Sequence, residues 1–153
     1  VKDLNSLEKL RKIFLKTIKK NISETSKQSS DEILNSIHNK IKKNELNNLR
    51  LKIINEVNKN KDSRKLYYKI AKPYLDILVG NELAMQIRVN LSIQLPGDSS
   101  SLLPVHSDVW SGDSPFEIVV WLPLVDCYKT KSMYILPPKK VQKLILVLGY
   151  LLY

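Results

Sequence analysis

In the first part of the chain apolar residues recur at steps of three and four. Leu4, Leu7, Leu10, Phe14 and Ile18 are separated mostly by Lys, Arg and other polar residues. That spacing puts them on one face of an amphipathic helix over residues 4–22. A polar Ser/Thr/Lys/Gln stretch, residues 23–30, interrupts the pattern. Ser30 reads as the N-cap of a second helix, but Ile33, not Glu, stands three residues on, so no full capping box is expected. Helices are predicted over roughly residues 31–41, 45–58 and 63–70. The last should stop near Pro73, because proline lacks an N–H and restricts the residue before it.

The period changes at Ala84. Met85, Ile87, Val89, Leu91, Ile93 and Leu95 alternate with Gln86, Arg88, Asn90, Ser92 and Gln94, a pattern that a strand sorts onto two faces. Pro96-Gly97-Asp98 reads as a turn, continued by a serine-rich loop, and residues 116–122 and 133–136 read as short strands. Helices followed by antiparallel strands give an α+β class, which suits Greek-key or jelly-roll packing and excludes an alternating Rossmann sheet. The expectation is a single domain over 1–153: a helical part at 1–80, a β region at 84–138 and an atypical apolar tail at 139–153. The tail is shorter than the roughly 20 apolar residues that a membrane span needs, so no span is expected.

A chain of 153 residues can bury a core without staples, and the single Cys127 excludes an internal disulfide framework. No charged, apolar and small-residue series of a secretory signal opens the sequence, and a cytoplasmic location is the expectation. The net charge of +10 is unevenly placed: residues 1–72 carry +11 and residues 73–153 carry −1. Such a basic half suits a phosphate backbone or an acidic membrane, but charge runs most often form solvated helix faces. Phe14, Tyr67 and Tyr68 are the only aromatics there, too few to interleave with the lysines as stacking platforms, which ranks nucleic-acid binding last and gives an expectation of no nucleic-acid partner.

Chemistry concentrates in "VHSDVWSGDS", residues 105–114. If this stretch is extended, His106 and Asp108 point to one side and Ser107 to the other. An imidazole and a carboxylate so placed can occupy neighbouring positions around a metal. Two His and one carboxylate on one face of Fe(II) form the facial triad of non-haem oxygenases. Taken alone, a His-x-Asp spacing is a weak signal.

The surrounding phrase is more specific. His106-Ser107-Asp108, Trp121 within "VVWLPLVD" and residues 132–137, "SMYILP", give the run from about Met85 to Pro138 a pattern that resembles the Fe(II)/2-oxoglutarate-dependent oxygenases of the phytanoyl-CoA hydroxylase-like group. It resembles most closely the 2-oxoglutarate-Fe(II) oxygenases found sporadically in bacterial surface-carbohydrate biosynthesis clusters, with which it shares "HSD-WSGDSPFE". The resemblance implies a double-stranded β-helix of the jelly-roll or cupin type, and hydroxylation or a related oxidation of a small molecule, such as a carbohydrate or its precursor. It also implies Fe(II) and 2-oxoglutarate as cofactor and cosubstrate, with His106 and Asp108 as metal ligands.

Other roles are weaker. Gln86 and Arg88 are candidates to hold the 2-oxoglutarate carboxylates, against the alternative of a solvent face. Trp110 is a candidate wall of the substrate site, and Trp121 is read as core packing. Lys129, Lys131, Ser132 and Tyr134 are further candidate cosubstrate contacts.

Two departures from the family pattern stand out. The family's second His ligand and the cation after it lie downstream, whereas here no His follows His106 and no Arg follows Arg88. His38, in a predicted helix, is a poor substitute. Room for about four or five strands of ordinary length leaves the double-stranded β-helix incomplete. The reading is therefore a copy truncated at its C-terminus, with a catalytically inactive remnant serving as a binding module as the alternative. An edge and an inner apolar face left bare by half a barrel keep homo-oligomerisation or pairing with a second polypeptide open.

Overall fold

The computed structural model describes residues 1–22, 28–99, 102, 105–137 and 139–141. Four α-helices lead: α1 (Leu4–Asn21), α2 (Ser30–Asn35), α3 (Leu46–Lys59) and α4 (Ser63–Leu78). Short 3₁₀ turns follow α2 at Ile37–Asn39 and precede α3 at Lys43–Glu45. Each start and stop has a local cause. Asp3 caps α1, its carboxylate accepting from the Ser6 N–H at 2.9 Å and the Ser6 hydroxyl at 2.6 Å. Lys19 and Lys20 sit in its last turn, where cations favour the helix dipole.

The second helix begins one residue earlier than the sequence reading placed it. Ser29 is the N-cap and Glu32 lies three residues on, so the capping box is complete. The Glu32 N–H donates to Ser29 Oγ at 3.2 Å and the Ser29 N–H to Glu32 Oε2 at 2.7 Å. The fourth helix is a correction of the opposite kind, because it runs through Pro73 to Leu78. The proline removes the N–H that would bond the Lys69 carbonyl. Ile70, Ala71 and Leu75 are buried on both sides of it, so packing carries the helix past the break.

The helices build one core. Leu10, Phe14 and Ile18 of α1 meet Leu49, Ile53 and Val57 of α3, with Ile37 and Ile70 beside them. The apolar spacing read along α1 is thus the spacing of its buried face, except that Leu4 is exposed.

The second half corrects the fold class. No described residue pairs in a β ladder, and every regular element among them is helical, so the α+β jelly roll, complete or incomplete, is not what this chain forms. Residues 85–95, 116–122 and 133–136, read as strands, have no regular secondary structure. Alternation survives without the sheet. Val89 is buried and joins the helical core, Leu91 and Ile93 pack against it, and Gln86, Arg88, Asn90, Ser92 and Gln94 are exposed. Ile87 breaks the pattern by facing solvent. A period of two specifies two faces, but not which neighbour supplies hydrogen bonds.

Here helix side chains supply them. The Asn58 amide donates to the Val89 carbonyl and accepts from the Val89 N–H, both at 2.8 Å, and so mimics a strand partner for one residue. Arg64 donates to the carbonyls of Met85 at 2.8 Å and Gln86 at 3.1 Å. Farther along, Arg11 donates to the Leu124 carbonyl at 3.1 Å, the Tyr67 hydroxyl to the Val120 carbonyl, and Lys131 reaches Asn35 of α2 at 2.9 Å. The predicted Pro96-Gly97 turn is present, closed by the Asp98 N–H on the Leu95 carbonyl at 3.2 Å with Gly97 at φ +67°. The tail beyond Val141 lies outside the described residues.

Candidate functional site

His106 and Asp108 sit in a turn rather than a strand. Asp108 opens a 3₁₀ turn, Asp108–Ser111, closed by the Trp110 N–H on the Ser107 carbonyl at 2.9 Å and the Asp113 N–H on the Asp108 carbonyl at 3.2 Å. Gly112 ends it at φ +96°, a conformation costly for any residue with a Cβ. Ser107 itself is extended, at φ −123° and ψ 137°. One extended residue suffices to send its two neighbours to the same side.

As a result His106 Nε2 and Asp108 Oδ1 lie 3.6 Å apart, with side chains 41% and 49% exposed. That is too long for a direct hydrogen bond. It is close to the separation of about 3 Å between two neighbouring ligands that each stand about 2.1 Å from one metal ion. The donor set, one imidazole nitrogen and one carboxylate oxygen, suits a divalent transition metal. A complete triad does not fit: among the described residues no group of three His, Cys, Asp or Glu side chains could hold a metal ion. The pair offers two donor atoms and no third among the described residues.

Among the described residues no hydrogen bond or ion pair joins the side chains of the remaining candidates to the pair. Trp110 shares the turn and is exposed, so it stands beside the pair without enclosing it. Gln86 and Arg88 are exposed, and no hydrogen bond or ion pair joins either to His106 or Asp108. Lys131 is held by Asn35 and lies 5.3 Å from the Tyr128 ring centroid, while the Tyr134 hydroxyl donates to the Lys129 carbonyl at 3.5 Å. Trp121, read as core packing, is half exposed instead.

Two clefts lie on the helical part. The larger, about 590 Å³, is lined by Lys2, Asp3, Lys69, Lys72, Pro73 and Asp76. Its charges are largely matched: Lys69 pairs with Asp3 at 3.5 Å, Lys72 with Asp76 at 2.7 Å, and Lys2 stands over the Tyr74 ring. The second, about 430 Å³, runs between α1 and α3 and is lined by Lys12, Ile13, Lys16, Thr17, Lys20, Glu56 and Asn60. Among the described residues that line it, Glu56 is the one carboxylate. The Asn21 amide and then Lys20 and Lys59 hold its pKa below the ordinary value. The sequence carried a signal for this groove in the four-residue steps Lys12, Lys16 and Lys20, which a count of net charge hides.

Comparison with protein-family models, curated proteins and solved structures finds no match to this chain. Among the described residues no helix is long and apolar enough to cross a membrane.

Proposed function

We propose that this chain carries the metal-gripping turn of an Fe(II)/2-oxoglutarate-dependent oxygenase, with His106 and Asp108 as two ligands of a divalent metal. The observation that supports it is the convergence of His106 Nε2 and Asp108 Oδ1 to 3.6 Å across an extended Ser107, within the phrase "HSDVWSGDSPFE". Bound iron with 2-oxoglutarate would supply the oxidising chemistry. The chain's own residues grip the metal and leave its other positions open. The substrate in this reading is a small molecule, a carbohydrate or its precursor, and the location is the cytoplasm.

A second reading, a binding module without turnover, is favoured by one specific observation: no third metal-ligating side chain stands with the pair among the described residues. Ligand number and geometry set how firmly a metal is held, so two ligands give a weak site. An anaerobic Fe(II) titration with and without 2-oxoglutarate separates the two. Both readings expect binding that weakens about tenfold or more in His106→Ala and in Asp108→Ala. A metal-to-cosubstrate charge-transfer band that needs His106 supports the oxygenase, and metal binding without the band supports the module. Metal binding unchanged by both substitutions, or none in the folded wild type, overturns both.

A further inference from the structure

The groove between α1 and α3 is undercompensated in charge, and it stands apart from the metal reading. Lys12, Lys16 and Lys20 line it at successive turns, about 6 Å apart along the axis at 1.5 Å per residue. Lys59 is close enough to act on Glu56. Against these cations the groove offers Glu56, which Lys20 already contacts at 3.3 Å. Lys9, Lys12, Lys16 and Lys19 make no ion pair with any described residue. Like charges four residues apart destabilise a helix, so this row works against the stability of α1. A merely solvated face would be as soluble with both signs interspersed. In the larger cleft two lysines have carboxylate partners and the third a ring, whereas in this groove Lys12 and Lys16 have neither among the described residues.

We infer that this groove is a tracking site for the phosphodiester backbone of a single-stranded nucleic acid. The shape favours a strand over a bilayer. The site is an open groove between two helices, and its apolar member, Ile13, is half-buried in the core and offers nothing to insert into lipid. The Asn60 amide, whose oxygen accepts from the Asp62 N–H at 2.9 Å, adds a neutral N–H donor. No aromatic side chain lines the groove, so bases are not stacked and binding is independent of sequence. The expectation of no nucleic-acid partner rested on that shortage of aromatics, which limits base reading but not phosphate contact.

The test measures fluorescence anisotropy of labelled oligo-dT and oligo-dA of about 16 nucleotides with the full chain, from about 50 to 200 mM salt. Three lysine contacts predict similar affinity for both oligonucleotides and a slope of log K on log salt of about −2, at about −0.7 per phosphate. Lys12→Gln with Lys16→Gln, both exposed positions, should bring the slope toward about −0.7 and weaken binding about tenfold or more at the lower salt. Lys2→Gln with Lys72→Gln in the matched cleft should change neither. Helical circular dichroism confirms that both variants fold. Equal losses from the two pairs, no binding at low salt, or tighter capture by anionic phosphatidylserine vesicles through Lys12 and Lys16 would overturn the assignment.

Discussion

The second half of this chain is the richer in apolar residues, yet among the described residues it buries far fewer of them. In α1, α3 and α4 such side chains form a closed core, whereas after residue 100 many large ones face solvent, Phe116 at 90% and Ile135 at 79% exposure among them. The difference follows from where each backbone finds its hydrogen bonds. A helix bonds within itself, so its apolar stripe needs only side chains to pack against. A strand must find another strand before its inner face has a second wall. The helical half can therefore bury what its own sequence patterns, and the second half is held at separate points by Asn58, Arg64, Arg11, Tyr67 and Lys131.

The sharpest way to break this contrast is to remove equivalent bulk from each side. Ile53 is fully buried among α1, α3 and α4 residues, and Ile53→Ala should destabilise the fold by about 2–5 kcal/mol through lost burial and a cavity. Phe116→Ala deletes a larger side chain that is already in water, and should shift stability by no more than about 0.5 kcal/mol. Urea unfolding followed by helical circular dichroism reads both. A loss at Phe116 comparable with that at Ile53 would mean that the second half is packed in solution, and the contrast would fail.

A smaller effect probes the join between the halves. Asn58 gives Val89 its donor and its acceptor, and it also donates to the Ile54 carbonyl at 2.7 Å. Asn58→Ala leaves a buried residue's backbone unpaired and should lower stability by about 1–3 kcal/mol. Hydrogen exchange locates the change: the Val89 amide should lose protection while amides of α3 and α1 keep theirs. Asn58→Asp, which keeps the acceptor but loses the donor, should fall between. Unchanged exchange at Val89 in the alanine variant would show that the extended segment is held by burial alone.

Asn58 and Val89 also mark where sequence reasoning works and where it stops. The periodicity of Leu10, Phe14 and Ile18 gave the buried face of α1 directly, because helical neighbours are fixed by a local repeat. The alternation from Met85 to Leu95 gave the burial of Val89 and the exposure of Asn90 and Ser92, again a local property. What it could not give was the partner, since pairing is non-local and here falls to an Asn side chain 31 residues away. Pro73 misled for a related reason, as the rule about proline is local and the buried residues that override it are tertiary. At the candidate site, the closeness of His106 and Asp108 was legible from spacing because one extended residue joins them, although a turn and not a strand holds them. Gln86 and Arg88 were assigned as the polar face of a strand, and that strand does not form.

The smallest effect joins the halves at a third point and depends on pH. The Tyr67 hydroxyl donates to the Val120 carbonyl, and burial pushes its pKa above the ordinary value of 10.0. The folded state thus favours the protonated phenol. Its contribution is fully present below the unfolded pKa and is lost as pH rises from there through the higher folded value. Tyr67→Phe should lose about 0.5–1.5 kcal/mol at neutral pH, the usual worth of one such bond. It should also lose the alkaline decline that belongs to this group. The stability difference between wild type and Tyr67→Phe, measured by urea unfolding from about pH 8 to 11, should therefore narrow as Tyr67 ionises. A difference that stays constant over that range would mean that Tyr67 contributes through its ring packed on the helical core, and that the tie to Val120 does not hold the second half in place.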